Sequence, residues 1–265
     1  MAGSQTGMER LINFRDFGGC LTADGRRVKT GYLYRSGHVD QASRRDRETL
    51  RALGIKTLVD LRSARERKQA AHLWPGARVV WLPMPFDEIT RARLKPYLFR
   101  RDVRAAVFDM VESVYADTVE HSCAQLAALF TLLQQPEVYP VLIHCRAGRD
   151  RTGFVSAVIQ LALGVPVEDV VTEYLRSNAS LLPRARRAPK VLQILTLGLF
   201  SPDNLRAVFT SQERYMRTVI GKIEGECGGI VRYLTQCGVA EWQLAALKDL
   251  LLERSDDFSR VRGSD

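Results

Sequence analysis

The sequence predicts an α/β fold: a mainly parallel central sheet flanked by helices, with a helical C-terminal extension. Two observations predict it. Short runs rich in branched or aromatic residues, Val28 to Arg35, Ile55 to Leu61, Val79 to Leu82 and Val141 to His144, alternate with stretches of helical periodicity. The last three runs are apolar enough for strands buried on both faces, as parallel strands are.

Each element carries its own signal. The first ten residues read as a loose arm. Ser43 is placed to cap a helix that carries Leu50 and Leu53 and ends at Gly54, and Ser63 to cap a charged helix running to about Ala71. From Val103 to Gln135 the period is helical, with Val107, Met110, Val111 and Val114 on one face, then Leu126, Leu129, Phe130 and Leu133 on another. Thr152 to Leu163 reads as a buried helix stopped by Gly164, and Val167 to Asn178 as the next, opened by Pro166. Pro183, Pro189 and Pro202 punctuate the stretch after it, and Gln212 to Glu226 and Ala240 to Glu253 give two amphipathic helices around the Gly228-Gly229 break. No repeat or low-complexity linker divides the chain, so residues 1–265 are expected to form one domain with residues 179–265 as its helical extension.

Composition narrows the function. A net charge of +9, mostly from arginine, favours anionic partners, but the basic residues are spread along the chain and no nucleic-acid motif accompanies them. No uncharged run approaches the length of a membrane span, about 18 residues, and Met1 to Glu9 lacks the apolar core of a signal peptide, so a cytoplasmic chain is expected, leaderless secretion being the other route. The five cysteines, Cys20, Cys123, Cys145, Cys227 and Cys237, contain no CxxC pair; neither a disulfide framework nor a zinc site is indicated, and a reducing compartment is the default.

The chemistry concentrates in Val141-Leu142-Ile143-His144-Cys145-Arg146-Ala147-Gly148-Arg149-Asp150-Arg151-Thr152-Gly153, an apolar strand, a tight loop and a helix start. Successive loop amides turned inward over a helix N-terminus make a cradle for a phosphate. Gly148 allows a backbone approach that a side chain would obstruct, and Arg151 can return over the loop to grip two oxygens. At the bottom, Cys145 would be a thiolate, since a helix N-terminus and nearby guanidinium favour that charge. An inert buried thiol is the ordinary fate of a free cysteine, yet this one has the neighbours of a nucleophile. It would attack phosphorus and form a phosphocysteine that water hydrolyses, with Arg151 and the amides of Arg146 to Thr152 stabilising the equatorial oxygens; no metal or other cofactor is required. His144 reads as a loop-orienting hydrogen-bonder, and Thr152 equally as a partner of the sulfur or a helix cap.

His144-Cys145-x5-Arg151-Thr152-Gly153 resembles the phosphate-binding loop of the protein tyrosine phosphatase superfamily, in the form found in a bacterial branch that accepts phosphotyrosine, phosphoserine/threonine and phosphoinositides. That branch often has lysine where Arg149 stands. Asn13-Phe14-Arg15-Asp16-Phe17-Gly18-Gly19, Leu33-Tyr34-Arg35-Ser36, Val59-Asp60-Leu61-Arg62-Ser63 and Glu173-Tyr174-Leu175-Arg176-Ser177-Asn178 agree with it, so the resemblance spans most of residues 11–253. It implies a parallel sheet with the strand before Cys145 at its centre, and suggests the final helices as a lid, a pattern that ordinary packing would also leave.

Departure of the leaving oxygen needs an acid. Asp87, just after a predicted strand in Leu82-Pro83-Met84-Pro85-Phe86-Asp87-Glu88, is the first candidate; Asp150, inside the loop and able to pair with Arg149, is the second. Solvated loop carboxylates would look the same. Asp60, Arg62, Asn13, Arg15 and Asp16 read as structural polar contacts, and Arg149 either as a second phosphate contact, suited to a phosphoinositide, or as surface charge. The expected partners are therefore phosphorylated proteins and phosphoinositides, with inorganic phosphate as product. Arsenate reduction or sulfur transfer would use the same loop but lacks a resolving cysteine nearby in sequence, and an idle phosphopeptide-binding module would need no nucleophile.

Overall fold

The strands that can be buried on both faces take the middle of the sheet. A computed structural model describes residues 7–67, 76–86, 89–90, 93, 97, 104–181 and 210–253. Strands β1 (Arg15–Asp16), β2 (Leu33–Ser36), β3 (Thr57–Asp60), β4 (Arg78–Trp81) and β5 (Val141–His144) form one sheet in the order β1-β2-β5-β3-β4. β1 runs antiparallel to β2; the other pairings are parallel. β5 is buried at every position, and its register sets Ser36, His144 and Asp60 abreast at the C-terminal ends of three adjacent strands. Ligands of open α/β sheets bind outside such ends. Alternation sorts the side chains: Val141 and Ile143 join the larger core on one face, Leu142 joins Tyr34, Leu58 and Leu50 on the other.

Two strands differ from expectation. Only Leu33–Ser36 of the first run pairs as a strand, because Asp16 takes the amides of Gly18 and Gly31 and turns the chain before it, leaving Val28 in an isolated bridge to Leu252. β4 is not buried: it is the sheet's edge among the described residues, with Val79 49% and Trp81 40% exposed, and an apolar run does not distinguish an edge from a centre.

Helix α1 (Arg44–Ala52) opens with the expected Ser43 cap, closed reciprocally by Asp46. The fully buried Asp46 also takes the amides of Glu9, Arg10 and Leu11, so these arm residues are tied to the helix. Ser63 begins a turn over residues 64–67; the rest of the expected helix, residues 68–71, lies outside the described residues. Helices α2 (Arg104–His121) and α3 (Cys123–Leu132) bury the faces predicted for them. Then α4 (Asp150–Leu163) is buried from Arg151 onward and ends at Gly164 with φ +91°, and α5 (Val167–Leu175) comes after Pro166. The chain closes with α6 (Glu213–Gly225), α7 (Ile230–Gln236) and α8 (Glu241–Leu251), α7 adding a helix between the two expected. These last helices put Met216, Val219, Leu234, Leu247 and Leu251 into the same core as β5 and α4. Pro183, Pro189 and Pro202 lie outside the described residues. Among the described residues no helix is long and apolar enough to cross a membrane.

One expectation is overturned: Cys123 and Cys237 form a disulfide, their Cα atoms 4.5 Å apart across 114 positions of sequence. Spacing could not reveal it, since only the packing of α7 on α3 brings the two together. Cys20, Cys145 and Cys227 remain thiols. Non-reducing peptide mapping should recover the Cys123–Cys237 link, and reduction should lower unfolding free energy by about 2–4 kcal/mol in urea titrations.

Candidate active site

Cys145 comes directly after β5 and is 2% exposed. Residues 146–149 then turn into the N-terminus of α4. The turn is tight because Gly148, at φ +67°, lies against β2: a Cβ there would stand 2.4 Å from the Ser36 carbonyl.

What faces the bowl is decided from outside it. Asn13 Nδ2 donates to the carbonyls of Gly148 at 2.6 Å and Ala147 at 3.3 Å, Arg35 Nη2 to that of Gly148 at 2.8 Å, and the His38 amide to that of Arg146 at 3.1 Å. In a planar trans peptide, a carbonyl turned out turns the next amide in. Amides of Ala147 to Arg149 thus converge with the start of α4 above Cys145, an anion-binding concavity. Behind the loop Arg15 donates to both carboxylate oxygens of Glu173 at 2.9 and 3.1 Å, to the Glu173 carbonyl and to Ser177 Oγ, and Arg35 Nη1 reaches the same carboxylate at 3.3 Å. Arg15 also donates to Asn13 Oδ1, which aims the amide nitrogen of Asn13 at the loop. Asn13 and Arg15 are structural contacts, as expected, and so is Asp16.

Arg151, 6% exposed, forks onto the carboxylate of Glu66, with Nη2 to Oε1 at 3.0 Å. Burial opposes both charges. The pair prevails, holding Arg151 above its ordinary range and bringing Glu66 down to about 2. Sequence reasoning missed Glu66; Ser63-x-x-Glu66, the spacing of a capping box, was the available signal, and Glu66 does accept the Ser63 amide.

Arg149 is not surface charge. It is 8% exposed and forks onto its neighbour Asp150 at 2.8 and 2.9 Å. The exposed guanidinium of the loop is that of Arg146. Asp150 accepts in addition the hydroxyl of Tyr115 from α2, which meets that of Tyr174 from α5 at 2.7 Å. Burial raises both phenols, Tyr174 to about 12, so they stay hydrogen donors. No sequence signal marked Tyr115. Asp87 lies outside the described residues; its neighbour Phe86 packs edge-on against Tyr115, ring centroids 5.3 Å apart.

Thr152 does not cap α4: Arg149 occupies the cap position, and the buried Thr152 Oγ1 has no partner among the described residues. Neither does His144 Nδ1, which stands 3.9 Å from Asp60, so the expected orienting bond is not made through that nitrogen. Burial brings His144 down to about 4, against the pull of Asp60, leaving the ring uncharged at neutral pH. Asp60 and Arg62 are structural, forked at 2.9 Å, with Arg62 reaching on to Asp40.

A family model described as the tyrosine phosphatase family matches residues 6–253. A Cupriavidus necator protein, named provisionally as a tyrosine-protein phosphatase, is 37% identical over 172 residues, 64% of this chain and 62% of its own. The match thus spans less than two thirds of that relative. The Mycobacterium tuberculosis protein named triple specificity protein phosphatase PtpB is 29% identical over 277 residues, 91% of this chain and 96% of that one. Among solved structures, the core catalytic domain of a PP-IP phosphatase from S. cerevisiae aligns over 55% of this chain and 70% of its own at 17% identity and a TM-score of 0.33.

Acid titration tests the buried charges. His144 titrates at an ordinary 6.5 when unfolded and about 4 when folded, so the stability that its neutral ring contributes is lost as pH falls from about 6.5 to 4. Glu66 goes from 4.5 to about 2, so its share is lost as pH falls below about 4.5. The expected loss across the first window is on the order of 3 kcal/mol, and His144→Asn should flatten that limb while Glu66→Gln flattens the lower one in urea titrations run at each pH.

Proposed function

The chain belongs to the tyrosine phosphatase family, and from that premise we propose that it is a cysteine-dependent phosphatase acting on phosphotyrosine in proteins, with phosphoserine/threonine and phosphoinositides as further substrates. The observation that carries this reading is Cys145 at the floor of a loop whose carbonyls of residues 146–148 are all held outward, beneath Arg151. The name of the mycobacterial relative, triple specificity, motivates the wider substrate range.

In this mechanism Cys145 Sγ attacks phosphorus and the phosphorus–oxygen bond to the substrate breaks. The departing oxygen takes a proton from a carboxylic acid. Water then attacks the phosphocysteine, the sulfur–phosphorus bond breaks, and inorganic phosphate leaves. Glu66 engages one edge of Arg151 and holds it rigid; its remaining N–H bonds would meet two equatorial oxygens in both steps. The loop amides do the same from below.

We assign the acid to Asp87. Both oxygens of Asp150 are engaged, by Arg149 and Tyr115, which suits a carboxylate that keeps loop geometry better than one that gives up a proton. Phe86, the residue before Asp87 in sequence, packs on the Tyr115 that reaches Asp150. Thr152, whose hydroxyl is not used as a cap, is proposed as a partner of the sulfur. The competing sulfur chemistry loses two resolving candidates, because Cys123 and Cys237 are bonded to each other.

With EDTA-treated protein and a phosphotyrosine peptide, Cys145→Ser should abolish phosphate release yet still bind phosphate, and Arg151→Ala should reduce kcat/KM by roughly 100-fold or more while weakening binding. Near-normal release by Cys145→Ser would overturn the mechanism, and binding without turnover in the wild type would favour an idle phosphopeptide module. Asp87→Asn should slow phosphoserine peptides more than p-nitrophenyl phosphate, whose leaving group needs little protonation; equal loss on both would point to loop damage.

A further inference from the structure

The cluster behind the loop gathers two buried guanidinium groups on one carboxylate. Arg15 is 5% exposed and Arg35 1%, and both lean on one buried carboxylate, that of Glu173. Arg176 meets the same carboxylate at 3.4 Å from a partly exposed position. Asp16, whose oxygens take the amides of Gly18 and Gly31, is a second carboxylate near Glu173. A buried charge short of a counter-ion is costly and favours an anion within reach.

Arg35 is the member that reaches the loop. Its Nη1 is on Glu173 and its Nη2 on the Gly148 carbonyl, while Nε has no partner among the described residues. The groups that act on its charge are Glu173, Cys145 and Tyr174, and Arg15 stands beside it.

We propose that Arg35 is a positioning residue for the phosphate cradle: it holds the Gly148 carbonyl outward, and its buried charge, which Glu173 offsets from behind, favours an anion on the far side of the loop. The inference rests on the phosphate-cradle reading above. It makes two neighbouring substitutions act in opposite directions, which loosening of the fold cannot do. Removing the Arg35 charge takes away both the carbonyl's donor and the field. Glu173→Gln keeps an oxygen acceptor for the guanidinium groups but removes the charge that offsets them.

The test is isothermal titration of inorganic phosphate into the full chain at neutral pH, for wild type, Arg35→Gln, Arg35→Lys and Glu173→Gln, with thermal melts to confirm folding. Arg35→Gln should weaken binding about tenfold or more, about 1.4 kcal/mol; Arg35→Lys should recover part of it, and Glu173→Gln should tighten binding about two- to fivefold. Wild-type affinity in folded Arg35→Gln overturns the proposal, as do losses of similar size in Arg35→Gln and Glu173→Gln. Should Arg35→Gln not fold, Glu173→Gln decides alone, tightening in support and weakening against. A wild type that binds no phosphate would remove the cradle itself, and this inference with it, whereas a wild type that binds while the variants match it would remove only the role of Arg35.

Discussion

A backbone loop that offers its amides to an anion must dispose of its carbonyls, and it cannot do so alone, because each peptide plane fixes one against the other. In this molecule the carbonyls of residues 146–148 find donors on segments remote in sequence: the side chains of Asn13 and Arg35 and the amide of His38. Much of the surrounding architecture serves to place those donors. β1 and β2 bring Arg15 and Arg35 to Glu173 on α5, Arg15 sets the amide of Asn13, and Gly148 gives the close approach without which none would reach.

The charges around the bowl are sorted by partner. Arg151 has Glu66, Arg149 has Asp150, Arg62 has Asp60 and Asp40. Buried pairs of this kind add little net stability, since desolvation offsets attraction, but they fix direction. Direction is what a cradle needs: a guanidinium pinned along one edge can present only the other. The tyrosines serve the same end from the helices, burial keeping Tyr115 protonated as a donor to Asp150 with the Tyr174 hydroxyl against it.

The sequence made the scaffold legible where local rules operate. The apolar run of β5, the Ser43 cap and the Gly164 stop are short-range signals, and each stands where the pattern put it. The loop was legible for a different reason, because nucleophile, glycine and arginine are contiguous. Partners supplied by tertiary packing were not. Glu66 was half-visible through its spacing from Ser63, Tyr115 looked like any core aromatic on a helix, and the Cys123–Cys237 bond joins helices with nothing local in common. The pairing of Arg149 with Asp150 was legible from adjacency though its burial was not, and β4 misled because apolarity does not tell edge from centre.

The central position of β5 also has a kinetic meaning. It is the last strand among the described residues yet lies between β2 and β3, and the bond from Asn13 to Gly148 spans 135 positions. Ordering so long a loop precedes any return from the contacts it permits, which places the parallel sheet among slow-forming topologies. During synthesis the earlier strands must wait, unable to complete the sheet, until Val141–His144 has emerged. The thiol and the amides around it therefore depend on the same long-range closure, and a chain that has not placed β5 between its neighbours has no cradle.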